Sequence, residues 1–223
     1  MLDCTLRDGG YINSWGFSKS QLFRINNSLE KSKIEIVELG YLNDKKGGEE
    51  NSTLFDSVDS VDKALNNMTN MSTKVVMIDL FSFNLDNLPL KMHTKIDGIR
   101  LAFHKKDISH AIYASKIIID LGYKLFLQPM VTKNYNSIEF TTLIKKANDL
   151  KVWAFYVVDS FGSMTLDQFR KYINLANDNL DNDIRLGYHS HNNMQLAFSN
   201  AIDLCNSQPD RDVIIDCSIY GMG

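Results

Sequence analysis

Eight short apolar runs recur along this chain at intervals of roughly thirty residues, each followed by a polar or helix-patterned stretch. They are Leu2 to Leu6, Ile34 to Leu39, Lys74 to Leu80, Gly98 to Phe103, Lys124 to Met130, Val152 to Val158, Ile184 to Tyr188 and Val213 to Cys217. Lys74 to Leu80 carries little polar interruption, as expected of a strand covered on both faces. Between the runs the spacing predicts helices over Lys19 to Lys31, Val58 to Met68, Ile108 to Leu121, Ser137 to Leu150, Thr165 to Ala176 and Met194 to Cys205. Ser18 suits the N-cap of the first, with Leu22, Ile25 and Leu29 on one face, and Gly122 ends the third. Tyr11 to Phe17 and the polar residues 43 to 57 read as loops, and Asn84 to His93 as a weak connection. Repeated βα units imply a parallel sheet with helices outside it. Eight of them predict an α/β fold of the closed TIM (β/α)8 barrel type. A doubly wound open sheet is the alternative, disfavoured because no GxGxxG follows the first run.

Length sharpens this. The chain has 223 residues, against ~250 for a typical barrel of this kind. It stops at Gly221-Met222-Gly223, directly after the eighth strand. The expectation is one barrel domain over 1–223, truncated after strand 8, in a natural chain that continues further. A net charge of -3 offers nothing for electrostatic capture of nucleic acid. No apolar run reaches the ~18 residues of a membrane span. Without a basic n-region or secretory core, the N-terminus points to a cytoplasmic protein. Cys4, Cys205 and Cys217 form no disulfide framework and no CxxC pair.

In a parallel barrel every strand aims its C-terminal end at one face, and active sites are built there. The chemistry-bearing residues concentrate at those ends: Arg7 and Asp8 ending the first strand, Glu38 ending the second, Arg100 and His104 on or after the fourth. Gln128 lies near the end of the fifth, Asp159 and Ser160 end the sixth, and His189 and His191 end the seventh. Two residues apart on a strand, His189 and His191 project to one side. They make a natural pair of metal ligands, with a carboxylate as the third. Each feature also has a plainer reading. The histidines can be polar loop residues, and Arg7 with Asp8 a buried ion pair tying down the first strand. Asp159-Ser160-Phe161-Gly162 also suits a strand-to-loop turn. Arg100 and His104 can each bind a carboxylate or simply sit solvated at the rim. Gly9-Gly10 lets backbone or ligand approach closely.

The run Asp3-Cys4-Thr5-Leu6-Arg7-Asp8-Gly9 resembles the D-x-T-L-R-D-G signature of the DRE-TIM metallolyase (HMGL-like) superfamily. That group includes hydroxymethylglutaryl-CoA lyase, isopropylmalate and homocitrate synthases, and 4-hydroxy-2-oxovalerate aldolase. His189-Ser190-His191-Asn192 resembles its H-x-H-N motif, and Val157-Val158-Asp159-Ser160-Phe161-Gly162 its D-[ST]-x-G strand. Tyr220-Gly221-Met222-Gly223 looks like the start of its glycine-rich loop. The Val-Val-Asp-Ser stretch leans towards the aldolase branch. The resemblance implies that Asp8, His189 and His191 hold a divalent cation (Mg, Mn or Zn) that chelates the oxygens of a small 2-oxo acid. It implies that Arg7 stabilises the enolate as a C–C bond breaks or forms, which is electrostatic stabilisation of developing charge. Glu38, Arg100, His104, Gln128 and Ser160 are then the candidates for binding or supporting the substrate. The sequence departs from the family at the base: the aldolases carry histidine where Tyr11 stands, and the synthases Glu-Gln at Gly10-Tyr11. Tyr11 is the catalytic candidate left at that position, acting through a lowered pKa or a bound water.

Three functions remain open on this reading. The first is a metal-dependent aldolase or lyase. The second is a Claisen-type acyltransferase, which would consume an acyl-CoA with an oxo acid. The third is a non-catalytic barrel that binds metal and ligand without turnover. The partners expected are the oxo-acid substrate, a second copy in a homodimer and a C-terminal domain of the same chain, with no nucleic acid and no membrane.

Overall fold

The computed structural model describes residues 1–66, 68, 71–207 and 209–222. Position 67 of the helix expected over Val58 to Met68, and Gly223 of the glycine-rich loop, lie outside the described residues. Eight strands form the barrel: β1 Leu2–Asp3, β2 Ile36–Leu42, β3 Thr73–Asp79, β4 Gly98–Phe103, β5 Lys124–Pro129, β6 Ala154–Asp159, β7 Arg185–Ser190 and β8 Val213–Cys217. Neighbours in that order pair in parallel, and β1 pairs with both β2 and β8, which closes the ring. A two-residue strand, Leu54–Phe55, adds to the far end of β2. Among the described residues the helices longer than a single turn are α1 Lys19–Lys31, α2 Val58–Ala64, α3 Ile108–Asp120, α4 Ser137–Leu150, α5 Leu166–Asn179 and α6 Ala197–Ser207. Two short 3-10 turns, Leu85–Asn87 and Lys91–His93, replace a helix between β3 and β4. None of these helices is long and apolar enough to cross a membrane.

Local chemistry explains where the elements start. Ser18, Asn136 and Thr165 each accept a bond from the backbone N–H three residues on, while Gln21, Glu139 and Gln168 reach back, so α1, α4 and α5 open on full capping boxes. Thr165 is therefore the cap of α5 and not its first residue. The first strand is shorter than its alternation predicts. The Asp3 carboxylate accepts from Thr5 N (3.0 Å) and Thr5 Oγ1 (3.0 Å), a local bond that competes with strand pairing. The chain then winds into a helical turn over Thr5–Asp8, followed by a second over Gly10–Asn13 inside the expected loop. Arg7 and Asp8 stand on that first turn, not on a strand.

Two apolar cores result. One fills the shell between strands and helices. The other lies inside the barrel around Leu2, Ile36, Val75, Phe126, Ala154 and Ile214. Small and large residues interlock there: a Cβ on Gly187 would lie 2.4 Å from the Tyr156 ring, and one on Gly98 2.9 Å from that of Phe126. Above this apolar floor the next layer is charged. Glu38, Arg100, Tyr156 and Asp216 come from β2, β4, β6 and β8, the alternate-strand arrangement of a barrel layer. Branched aliphatic residues usually fill such a layer.

Candidate active site

The polar layer is a chain of alternating charges. Arg7 Nε donates to Glu38 Oε2 (2.9 Å), and Arg100 Nη1 lies 2.7 Å from the same oxygen. Arg100 Nη2 pairs with Asp216 across the barrel, and Tyr156 donates its hydroxyl to Asp216 Oδ1 (3.1 Å) beneath the Arg100 guanidinium. His189 Nδ1 donates to Asp216 Oδ2 (2.8 Å). Hydrogen-bond chemistry assigns the Gln128 amide oxygen to the side facing Arg100, where it accepts from Nε at 2.6 Å. Buried charges survive only when paired in this way. Burial opposes the charge on Arg7 and Arg100, but the carboxylates of Glu38 and Asp216 outweigh it and hold both guanidiniums protonated. Burial likewise pushes against an ionised Asp216, yet Arg100 and then His189 keep its carboxyl below the usual range. An ionised carboxylate only accepts, so His189 faces it with a protonated Nδ1.

At the C-terminal end of the barrel, ligand atoms of Asp8, His189 and His191 all lie within 4.8 Å of one another. The two imidazole rings stand edge to face with centroids 5.3 Å apart; their i, i+2 spacing puts them on one side. Two imidazoles and one carboxylate on one side of a centre are a donor set suited to a divalent cation with open positions for substrate. Asp8 Oδ1 accepts from Arg7 (3.2 Å) and Oδ2 from Met222 N (2.9 Å), and each oxygen retains a second lone pair for a cation. The residues present fit the group. Beside them Arg7 Nη2 is buried without a hydrogen-bond partner among the described residues, an orphan donor of the kind a ligand oxygen satisfies.

The segment after β8 straps this centre. Ile219 N donates to Thr5 Oγ1 (2.9 Å), and Met222 N to Asp8. A Cβ on Gly221 would come within 2.2 Å of Asp8 Oδ2, so glycine is needed there for close approach to the carboxylate. Next to His191 opens a cleft of about 520 Å³ lined by Ser160, Phe161, Asn192, Asn193, Gln195 and Met222. Ser160 Oγ accepts from Val131 N (2.9 Å). Asp159 instead accepts from Ser163 N (3.0 Å) and Met164 N (2.8 Å), so this carboxylate holds the turn.

The other expected site residues separate into groups. Glu38, Arg100 and Gln128 are fully buried in the polar layer, and what they touch is the protein; they support Arg7 and His189 and do not face the cleft. His104 is exposed in a different hollow with Lys105, Lys106, Met130, Val131 and Asn134, so the structure does not bring it to the metal-ligating cluster. Tyr11 lies at the rim, its hydroxyl 2.9 Å from that of Tyr41 and its ring edge-on to Trp15. A bulge in β2 aims Tyr41 there: the register shifts between Glu38 and Tyr41, where Gly40 adopts φ +149° against Thr53. Trp15 Nε1 donates to Arg7 O (3.0 Å) while its ring lies over Gly10. This close approach is the reason for the second glycine of the pair.

Sequence reading missed Asp216, Tyr156 and Tyr41. For Asp216 a signal existed, since it is the only charged residue in Val213–Cys217, and a carboxylate inside an apolar strand needs a partner.

Asp3 supplies a pH dependence. Burial pushes its carboxyl up to about 6, the bonds from Thr5 only partly opposing it. The folded chain then binds a proton that the unfolded chain has released. The stability this contributes is complete below about 4 and is lost as pH rises through about 6. Asp3→Asn keeps an acceptor for Thr5 and removes the titration. Its stability relative to the wild type is expected to rise by about 2 kcal/mol between pH 4 and 7, measured by urea unfolding. A pH-independent difference would contradict this assignment.

A closed parallel barrel brings a carboxylate, two histidines and a buried arginine together at its C-terminal face, a group that could hold a divalent cation. The HMGL-like family profile matches residues 1–223, and the chain belongs to that family, the DRE-TIM metallolyases. Among its curated relatives are 4-hydroxy-2-oxovalerate aldolase 6 of Rhodococcus jostii (strain RHA1), 22% identical over 91% of this chain, and 4-hydroxy-2-oxovalerate aldolase of Marinomonas sp. (strain MWYL1), 25% identical over 99%. The chain spans 57% and 65% of their respective lengths. A solved structure, the N-terminal domain of a presumed aldolase from Bacteroides vulgatus, superposes with a TM-score of 0.78 at 27% identity, covering 100% of this chain and 73% of that one.

Proposed function

We propose that this barrel is the catalytic unit of a divalent-metal-dependent carbon–carbon lyase that cleaves a small 2-oxo acid bearing a hydroxyl group. The observation that carries the reading is the meeting of Asp8, His189 and His191 beside the unpartnered Arg7 Nη2. Aldolase-named relatives whose printed substrate is an oxo acid support it.

Asp8, His189 and His191 would hold the cation, which when bound supplies Lewis acidity to the oxo group. Arg7 donates Nη2 to the oxygen on which negative charge develops as the C–C bond breaks. Glu38 and Trp15 fix the Arg7 guanidinium and backbone, so little reorganisation accompanies the reaction. Ser160 and the amides of Asn192, Asn193 and Gln195 line the cleft that would receive the far end of the substrate. The hydrogen-bonded Tyr11–Tyr41 pair at the rim is the candidate route for the hydroxyl proton, in place of the aldolases' histidine.

Elemental analysis of the purified chain, with Mn²⁺ added and excess removed, is expected to find about one metal per chain. Asp8→Ala and His191→Ala should each lose it. Release of a pyruvate-like product from 4-hydroxy-2-oxo acids should require the metal and disappear in both variants. If no metal is retained even from excess Mn²⁺, Arg7 and Asp8 are a structural ion pair and the lyase reading falls.

A further inference from the structure

We propose that Asp216 is a positioning residue that fixes the tautomer and ring direction of His189, so that Nε2 is held towards Asp8 and His191. This inference rests on the metal-site reading above.

The strand register creates the contact. β7 and β8 pair with Gly187 beside Ile214 and Tyr188 beside Ile215, and one step further brings His189 beside Asp216. Both side chains point into the barrel, where the Asp216 carboxylate receives His189 Nδ1 at 2.8 Å. Asp216 is held from two other directions, by Tyr156 OH (3.1 Å) and by Arg100. Arg100 in turn is held by Glu38 (2.7 Å). The carboxylate is therefore not a loose counter-ion but the fixed end of a line running Arg7–Glu38–Arg100–Asp216–His189. A histidine that gives its Nδ1 proton to a fixed carboxylate can offer only Nε2, and only in the direction that the bond permits. Outer carboxylates of this kind raise the basicity of a ligating imidazole and set its orientation.

A purely structural role for Asp216, as partner of Arg100, predicts lost stability and unchanged metal binding. The positioning role predicts weaker binding by a chain that still folds. Mn²⁺ affinity would be measured by calorimetry on wild type, Asp216→Asn and Tyr156→Phe, with thermal melts of each metal-free protein. Tyr156→Phe removes another donor to the same carboxylate but does not touch His189. Asp216→Asn is expected to weaken Mn²⁺ binding about 10- to 100-fold, while Tyr156→Phe, in which Arg100 still holds the carboxylate, stays within a few-fold of the wild type. Equal affinity in wild type and Asp216→Asn overturns the proposal and leaves the metal site intact. A wild type that binds no Mn²⁺ overturns the metal-site reading and this inference together.

If Asp216→Asn does not fold, 15N-histidine NMR of the metal-free wild type decides, recorded above the histidine titration range. A proton on Nδ1 of His189 and a bare Nε2 are expected. The opposite tautomer overturns the proposal.

Discussion

Glu38→Ala is expected to destabilise the protein by about 3–5 kcal/mol, the range for removing one partner from a buried ion pair. Glu38 is fully buried, and one of its oxygens lies 2.9 Å from Arg7 Nε and 2.7 Å from Arg100 Nη1. Without it, two guanidiniums face each other inside the barrel, with Asp8 and Asp216 as the carboxylates at their far sides. A whole domain is stable by ~5–15 kcal/mol, so much of that margin would be lost. The urea midpoint measures the effect, and Lys63→Ala provides the contrast. Lys63 pairs with Asp59 at 2.6 Å, a shorter contact than either arginine makes with Glu38, but both partners are largely solvated and no measurable change is expected. A Glu38→Ala midpoint as little shifted as that of Lys63→Ala would show that the polar layer contributes nothing to holding the barrel.

The second large effect falls on turnover. Arg7→Lys keeps a positive charge between Glu38 and Asp8 but loses the planar fork that places Nη2 in the site. Once a cleaved oxo acid has been found, kcat is expected to fall by about 10²- to 10³-fold, the usual loss when one donor to developing charge is removed. Mn²⁺ affinity should stay within a few-fold of wild type, because the retained charge of lysine still faces Asp8, whose Oδ1 Arg7 contacts. Near-normal kcat would make Arg7 a structural partner of Glu38. A parallel loss of Mn²⁺ would mean that Arg7 acts by orienting Asp8.

The same two arginines show how far sequence reading reached. Arg7 was legible because it sits in a run with Asp8 and two glycines whose pattern is itself a signature. Its true setting, a helical turn begun by Asp3 bonding to Thr5, was not legible, since strict alternation through Leu6 imitates a strand. Arg100, a basic residue on a barrel strand, could by sequence either bind a carboxylate or sit solvated at the rim. It meets two, Glu38 and Asp216, and both belong to the protein. His104 lies one residue beyond the end of the same strand, yet it turns outwards into another hollow. Linear position near a strand end selects candidates but does not say on which side of the rim a side chain falls.

What the sequence determined by itself was periodic or contiguous: the eight strand-like runs, the Ser18-capped first helix, the His189/His191 pair at the end of one strand and the Arg7–Asp8 step. These depend on residues a few positions apart, so local sterics and hydrogen bonding decide them. What only the tertiary structure decided was the polar layer inside the barrel. Its four members lie on β2, β4, β6 and β8, separated along the chain by tens of residues, and ring closure alone brings them together. Asp216 in particular could be assigned no partner until β8 paired with β7 and β1. Only then did the cost of burying its charge determine where His189 points.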